Sequence, residues 1–255
     1  MDISEMSKLA TQYRDVFKQQ QAAAAPTGFP WYPYDTASNF WILDQLLKGP
    51  NRDLLGLAGG GPVADIGAAD GFAAFFLETL GVAVDLIDYG PTNFNTLRGA
   101  RLLKEKTGSK VDIHEIDLDQ QFKLPRQNYG LVLFLGILYH LKNPFYALET
   151  LARSTRYCLL STRVAKFAGG SSRWSDRPPA TRIEELPLAY LVDAAESNND
   201  ATNFWIFSVT GLKRICHRAG WDVQEFITLG DTKTSHPAAP DRDERAFCLL
   251  KSRNF

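Results

Sequence analysis

The stretch that decides the fold is Val63–Gly81, VADIGAADGFAAFFLETLG. It begins as a short apolar run, turns through Gly67 and Gly71, and continues with Phe, Ala and Leu at helical spacing. Glycines let a ligand approach the backbone closely, and the N-terminus of the following helix favours a negatively charged group. The pattern therefore predicts a strand, a turn and a helix that together hold a ligand. A tight turn without a ligand is the simpler alternative.

Strands and helices alternate on the C-terminal side of this stretch. Apolar segments typical of strands are VADI, VAVDLID, KVDIHEIDL, YGLVLFLGIL and YCLLSTRV, and helical patterns lie between them at 73–80, 92–108 and 143–156. Two later segments, WDVQEFITLGD and ERAFCLLKSR, suit a final antiparallel pair. We expect an α/β fold with a Rossmann-like, mostly parallel seven-stranded sheet, helices on both faces and an antiparallel last strand.

The flanking regions predict further elements. Residues 1–58 read as an N-terminal helical and aromatic extension that covers the site, with one helix over 3–24 and a second through Leu47, capped by Thr36 or Ser38. Residues 59–255 form the main domain, interrupted at about 165–207 by an insertion of turn composition. After it, SVTGLKRICHRAG predicts a helix with Ser208 as its cap.

Composition excludes several classes of protein. The 255 residues carry 28 Lys and Arg against 29 Asp and Glu, so no global basic field indicates nucleic acid. No apolar segment is long enough for a membrane span, and the first residues lack the apolar core of a secretory signal. The three cysteines lie far apart and show no CxxC spacing, which argues against a disulfide framework or a zinc site and suits a reducing cytoplasm.

Acidic residues follow the predicted strands at one edge of the sheet. Asp65 lies in the first strand, Asp88 ends the second, and Asp117 with Leu118 ends the third. A carboxylate at the end of the second strand is placed to accept hydrogen bonds from ribose hydroxyls. Asp117 would accept from an adenine amino group while Leu118 covers the ring. Because GxGxxG and GxxxxGK[ST] are both missing, the pattern predicts a nucleoside cofactor without a phosphate loop.

Together, Asp65-x-Gly67-x-x-x-Gly71, Asp88, Asp117-Leu118 and LFLGILYHL resemble the class I S-adenosylmethionine-dependent methyltransferases. The resemblance covers about residues 60–165 and implies S-adenosyl-L-methionine as cofactor. It places the two glycines beside the methionine portion and Asp65 near its amino group. The cofactor-binding residues that it implies are Asp65, Gly67, Ala68, Asp70, Gly71, Asp88, Tyr89, Asp117, Leu118, Leu135 and Gly136.

A narrower resemblance concerns LGILYHLKNPFYAL, which is similar to the tRNA wobble-uridine (carboxymethoxyuridine-forming) methyltransferase group. That group transfers a carboxymethyl unit from carboxy-S-adenosyl-L-methionine. Tyr139 and Arg245 correspond to residues that hold its extra carboxylate. The N-terminal lysine that the group also uses has no evident match around Trp31–Asp35. We therefore expect plain S-adenosylmethionine, with the carboxylated form as the alternative.

Two catalytic candidates follow the fourth predicted strand. His140 lies where ligands bind in such sheets and is the candidate general base, with a purely structural histidine as the alternative. Tyr139 is more consistent with a wall of the cofactor pocket than with a base. Candidate substrate-binding residues are Trp31, Tyr34, Asn199, Asn203, Trp205 and Arg245. The alternatives there are aromatic packing of the N-terminal helices and a polar capping loop.

The function indicated is methyl transfer from S-adenosylmethionine to a small-molecule acceptor. A tRNA-modifying (carboxy)methyltransferase and a non-catalytic S-adenosylmethionine-binding protein are the alternatives, while the missing GxGxxG disfavours a nicotinamide dehydrogenase. The insertion after the fifth strand carries basic residues that, if they converge, could meet RNA phosphates or a carboxylate on a small acceptor: Arg163, Lys166, Arg173, Arg177 and Arg182. A solvated loop is the alternative, and it is the one we favour. The sequence indicates no membrane partner and no oligomeric state.

Overall fold

The structure is a computed structural model that describes residues 1–169, 180–194, 196–197, 200–239 and 241–255. Short 3₁₀ turns lie at Gly49–Arg52 and Leu138–His140. The α-helices in the described chain are α1 (Ile3–Ala23), α2 (Ser38–Leu46), α3 (Leu54–Ala58), α4 (Phe72–Thr79), α5 (Arg98–Thr107), α6 (Pro144–Ser154) and α7 (Val209–Arg218).

The strands of the main sheet occur in the order β10-β11-β5-β4-β1-β2-β3. Their bounds are β1 (Val63–Ile66), β2 (Val84–Asp88), β3 (Asp112–Glu115), β4 (Tyr129–Leu135), β5 (Thr155–Val164), β10 (Trp221–Gly230) and β11 (Glu244–Ser252). Strands β1 to β5 pair in parallel, whereas β11 is antiparallel to both of its neighbours. The predicted fold class is confirmed.

Four short strands lie in the region expected as an insertion: β6 (Phe167–Ala168), β7 (Thr181–Arg182), β8 (Ala189–Leu191) and β9 (Trp205–Phe207). Strand β9 joins the main sheet through Val164 of β5, and β8 pairs with β9. Strands β6 and β7 pair with each other. Ser208 caps α7 as predicted, because its hydroxyl oxygen accepts the Gly211 N–H at 2.9 Å. The boundary at residue 58 stays a prediction.

Both faces of the sheet are covered by packed apolar side chains. On one face α1, α2, α4 and α5 contribute residues such as Met6, Phe40 and Phe76. On the other face α6 and α7 contribute Leu148 and Leu212. Because β4 is buried from both sides, its sequence reads as a continuous apolar run, as predicted. In the described part of the chain no helix combines the length and apolar character needed to cross a membrane.

Helix α1 confirms the helix predicted over 3–24, and Asp2 caps it by accepting the Ser4 N–H at 2.8 Å. The cap expected for α2, Thr36 or Ser38, is wrong. The N-cap position is Ala37, and no side chain caps the helix there. Asp35, two residues earlier, accepts the Ala37 N–H at 3.0 Å and orders the turn that leads into the helix.

Two predicted elements are shorter than their sequence patterns. Helix α5 begins at Arg98 instead of residue 92, because Asn93 and Asn95 bind nearby backbone N–H groups and hold a loop. Thr96 and Leu97 have φ of 58° and 62° in that loop, which a helix does not allow. Strand β3 ends at Glu115 instead of at the Asp117–Leu118 pair.

Candidate functional site

The turn after β1 has a left-handed backbone at three positions. Gly67, Ala69 and Gly71 have φ of 71°, 54° and 87°. A Cβ atom on Gly67 would lie 2.0 Å from the side chain of Ile137, which follows β4. Position 67 thus requires glycine, since both its backbone conformation and its close neighbour exclude a side chain. The turn presents its backbone to the carboxyl edge of the sheet.

Asp65 lies beneath this turn and is almost completely buried, with 7% of its surface exposed. Its Oδ2 accepts the Ala74 N–H at 3.1 Å. Burial raises the pKa of the Asp65 carboxyl to about 7, with a smaller contribution from the nearby Asp88. A buried carboxylate with one hydrogen bond is under-compensated, and a positively charged ligand group would stabilise its ionised form.

Asp88 is the last residue of β2 and holds the glycine turn. Its Oδ2 accepts the Ala69 N–H at 3.0 Å and the Asn93 amide at 2.9 Å, and its Oδ1 accepts the Tyr89 N–H at 2.7 Å. Burial raises the pKa of Asp88, and these hydrogen bonds oppose the shift. A carboxylate has about four acceptor positions, so one remains for a ligand hydroxyl. Sequence reasoning missed Asn93.

Asp117 and Leu118 lie beyond the end of β3, so the expectation that they end the third strand is wrong. The Asp117 side chain closes its own turn by accepting from the Asp119 N–H at 2.9 Å and from Gln120 at 3.0 Å. This local hydrogen bonding competes with strand pairing. Leu118 is buried in the core on the α6 face. The adenine role of the pair stays a prediction.

Asp70 joins the glycine turn to the N-terminal part of the chain. Its Oδ2 accepts the backbone N–H of Tyr32 at 2.7 Å, and its Oδ1 accepts the side-chain amide of Asn95 at 2.6 Å. Asn95 also donates to the Pro30 carbonyl at 3.3 Å. Burial raises the pKa of Asp70. Asp70 therefore fastens a cover segment, residues 29–36, over the turn.

Within the cover segment, Tyr32 faces the site. Burial raises the pKa of its phenol, with further contributions from Tyr139 and Asp88 nearby. Trp31 packs its ring edge-on against Phe29 and contacts the core, while Tyr34 is 72% exposed. Trp31, Tyr32 and Tyr34 lie close together in the sequence. The sequence pattern does not show which of the three side chains faces the site, so it does not distinguish Tyr32.

His140 lies in the 3₁₀ turn after β4, with its ring 4.1 Å from the ring of Tyr139. Its Nδ1 is 3.0 Å from the Thr202 carbonyl oxygen. A carbonyl only accepts, so Nδ1 carries the proton and Nε2 keeps a lone pair. Burial lowers the pKa of His140, which keeps the ring neutral at neutral pH. The Thr202 hydroxyl, 3.0 Å from the same nitrogen, donates to Asp200 Oδ1 at 2.6 Å.

The β4 end also brings Tyr139 to Arg245 of β11. The Tyr139 hydroxyl accepts from Arg245 Nη1 at 3.4 Å, and the guanidinium carbon lies 5.5 Å from the ring centre. Gly136 has a φ of 82°, a left-handed conformation that favours glycine, whereas a Cβ there would meet Arg245 Nη1 only at an ordinary contact distance of 3.9 Å. Leu135 ends β4 directly before it.

The other substrate-binding candidates bond to the protein itself. Asn203 is buried and donates to the Ser197 carbonyl at 3.1 Å, and the Trp205 indole in β9 donates to the Lys142 carbonyl at 3.3 Å. The backbone N–H of Phe204 donates to the Tyr139 carbonyl at 2.8 Å, which ties this segment to the site. Asn199 lies outside the described residues, as do Arg173 and Arg177.

A carboxylate–histidine cluster lies on β2 and β3, where the side chains of Asp85, Asp112 and His114 offer ligand atoms within 4.8 Å of one another. Arg126 donates two hydrogen bonds to the Asp85 carboxylate, of 2.8 and 3.1 Å. The hydroxyl of Tyr129 also donates to Asp85. The buried Asp85 carboxylate is therefore already satisfied by the half-exposed Arg126 and by Tyr129, which indicates a structural role for the cluster.

The strand order, the antiparallel β11 between β10 and β5, and the glycine turn at the carboxyl end of β1 define a class I methyltransferase fold. The structure is similar to the N-terminal domain of EvdMO1 with S-adenosylhomocysteine bound, at 16% identity and a TM-score of 0.57 over 94% of this chain and 97% of that one. The same domain in the presence of S-adenosylhomocysteine and D-fucose matches at 14% identity, with the same coverage and TM-score.

An S-adenosylmethionine-dependent methyltransferase from Mesorhizobium loti matches at 15% identity and a TM-score of 0.58, over 85% of this chain and 99% of that one. No protein-family model and no curated protein matches the sequence. At these identities the likeness shows the fold, which is that of the class I S-adenosylmethionine-dependent methyltransferases.

Proposed function

We propose that the protein is an enzyme that transfers a methyl group from S-adenosylmethionine to a small-molecule acceptor. The observation that carries this proposal is the buried, under-compensated Asp65 beneath a glycine turn that Asp88 holds in place. Its support from outside the chain is the fold, which is similar to that of the N-terminal domain of EvdMO1, solved with S-adenosylhomocysteine bound. The compartment, expected to be the cytoplasm, stays a prediction.

The residues present fit this cofactor. When bound, it supplies an electrophilic methyl group on a positively charged sulfur. Asp65 would balance the charge of its ammonium group, and Gly67 and Gly71 would admit its methionine portion to the backbone. Asp88 would accept from the ribose through its remaining lone pair, and Asp117 from the adenine amino group.

The protein's own part in the reaction is to hold the acceptor and to remove its proton. Holding the acceptor in attack geometry can supply about 7–11 kcal/mol. For a hydroxyl or amine acceptor, the proton would pass to His140 Nε2, which the Thr202 carbonyl keeps in the accepting tautomer. A general base of this kind contributes roughly 10²–10⁴-fold in rate. Tyr32 and Tyr139 would line the pocket and exclude water.

Calorimetric titration with S-adenosylmethionine, S-adenosylhomocysteine, carboxy-S-adenosylmethionine and NADH tests the proposal. We expect the first two to bind and NADH not to bind. If none binds, the glycine turn holds no nucleoside cofactor and the proposal is wrong. Binding without turnover on any acceptor in a broad screen would favour the non-catalytic alternative.

A second candidate is carboxymethyl transfer to wobble uridine in tRNA. The contact between Tyr139 and Arg245 favours it, since an arginine beside a phenol suits an extra carboxylate on the cofactor. A clear preference for carboxy-S-adenosylmethionine over S-adenosylmethionine would support this function. Affinity for tRNA that falls steeply with added salt would support tRNA as the acceptor.

A further inference from the structure

A second arginine lies beside Arg245 at the carboxyl edge of the sheet. Arg163, near the end of β5, pairs directly with Arg245 of β11 in the antiparallel register. Directly paired residues on neighbouring strands project from the same face of a sheet. Arg163 is only 3% exposed, whereas the Arg245 side chain is 39% exposed. The two guanidinium groups thus form an arginine pair, one deep and one at the surface.

One carboxylate serves both members of the arginine pair. Asp243 Oδ1 lies 2.5 Å from Arg163 Nε, and its Oδ2 lies 3.5 Å from Arg245 Nε. The Nη1 group of Arg163 is buried and has no hydrogen-bond partner within the described chain. The pair therefore carries two positive charges against one bridging carboxylate, and one donor group is left over.

The arginine pair belongs to the neighbourhood of the proposed general base. Both guanidinium groups act electrostatically on His140, and Arg163 also acts on Asp200. Asp200 is the other carboxylate close enough to matter, and Thr202 satisfies it through hydrogen bonds of 2.9 and 2.6 Å. Among the described residues it makes no ion pair with either arginine within 4.0 Å.

The Arg163 guanidinium is a charged group with five N–H donors in a buried position. Burying it without a full set of acceptors is unfavourable, and an anion that accepts from the free N–H group would remove the deficit. Carboxylate and phosphate match the planar donor geometry of arginine. The chemistry that the arginine pair suits is therefore a small oxyanion.

We propose that the acceptor carries a carboxylate or phosphate and that Arg163, with Arg245, binds this group so that the reactive atom of the acceptor lies at His140. The inference rests on the proposed function, because it names the substrate class of the same site. It assigns to Arg163 a role in acceptor specificity, separate from the cofactor residues on β1 and β2.

Two probes of nearly the same shape test the proposal: 4-hydroxybenzoate carries a negative charge, and 4-hydroxybenzamide is neutral, with an NH₂ donor in place of one carboxylate oxygen. Each is titrated into the S-adenosylhomocysteine-loaded protein, and inorganic phosphate is titrated into loaded and unloaded protein. We expect the acid to bind at least about tenfold more tightly than the amide, since charge-assisted bonds are roughly twice as strong as neutral ones. Phosphate should compete with the acid.

Substitutions at Arg163 test whether this residue causes the preference for the acid over the amide. Arg163→Gln should abolish the preference for the acid, and Arg163→Lys should keep part of it, while both bind S-adenosylhomocysteine as the wild type does. Arg153→Gln is the matched control, because Arg153 is an exposed arginine of α6 paired with Glu149, and this variant should leave the preference unchanged. Melting temperatures establish whether each variant folds. If Arg163→Gln does not fold, the reduced preference expected of Arg163→Lys still tests the proposal.

Equal binding of acid and amide, no binding of either the acid or phosphate, or a preference that persists in Arg163→Gln would each overturn the proposal. If Arg163→Gln weakens only carboxy-S-adenosylmethionine, the carboxylate belongs to the cofactor and the acceptor assignment is wrong. Failure of S-adenosylhomocysteine to bind would instead overturn the proposed function, while phosphate binding to the unloaded protein would still report on the arginine pair.

Discussion

Cofactor binding should depend on pH through Asp65. Burial raises the pKa of this carboxyl to about 7 in the unliganded protein, so it is protonated below that pH and ionised above it. The ammonium group expected beside it favours the ionised form. Cofactor binding at acid pH therefore releases the proton of Asp65. The affinity for the cofactor should rise with pH until Asp65 is already ionised in the unliganded protein.

The magnitude follows from this pKa. With a value of about 7, roughly one molecule in ten has Asp65 ionised at about pH 6 and roughly nine in ten at about pH 8. The dissociation constant of S-adenosylhomocysteine should therefore fall about tenfold between these pH values, equivalent to about 1.4 kcal/mol. Asp65→Asn keeps an acceptor for the Ala74 N–H but removes the titrating group, so its weaker binding should be independent of pH.

Isothermal titration across this pH range measures the effect, and 5′-methylthioadenosine is the matched control ligand because it lacks the amino-acid portion. Its affinity should report the ribose and adenine contacts without the ammonium group, and it should change less with pH. An unaltered pH dependence in Asp65→Asn, or the same dependence for both ligands, would refute the placement of the ammonium group at Asp65.

The same carboxyl should lower the stability of the unliganded fold at neutral pH. Its pKa is higher in the folded than in the unfolded chain, so the folded state binds more protons between the ordinary value of 3.8 and about 7. Stability contributed by the protonated form is then lost as pH rises through this window. Unliganded Asp65→Asn should melt at a higher temperature than the wild type above about pH 7, with a smaller difference at acid pH.

Substitutions at three further places, Asp88, the His140–Thr202 contact and Asp70, test other parts of the site. Asp88→Ala should weaken S-adenosylmethionine binding at least about tenfold, since it removes the ribose acceptor and frees the glycine turn; unchanged affinity in calorimetry would contradict that role. His140→Ala should slow turnover more than it weakens cofactor binding, and Thr202→Val should shift the pH–rate profile without loss of cofactor affinity; equal losses of rate and affinity would make His140 structural. Asp70→Ala should release the cover segment and expose Tyr32 to limited proteolysis, whereas Asp70→Asn keeps an acceptor for its N–H; protection equal to that of the wild type in Asp70→Ala would refute the fastening role.

Much of the fold follows from short-range patterns. The apolar run of β4, the glycine turn after β1 and the Ser208 cap each depend on residues within a few positions, and the structure places them as predicted. The predicted helix and strand boundaries are wrong where a side chain accepts a hydrogen bond from the backbone a few residues further along the chain. Asn93 and Asp117 shorten a helix and a strand in this way, and apolar periodicity does not register such bonds.

The sequence by itself determined the class of sheet, the order in which strands and helices follow one another, and the positions of Asp65 in β1 and of Asp88 at the end of β2. Only the tertiary structure decided which residues surround those acids. Tyr32 enters the site because its N–H reaches Asp70, 38 positions along the chain, and Arg163 stands beside Arg245 because β11 inserts next to β5. Contacts between distant segments depend on how the whole sheet packs, and the spacing of residues along a short stretch of sequence does not specify that packing.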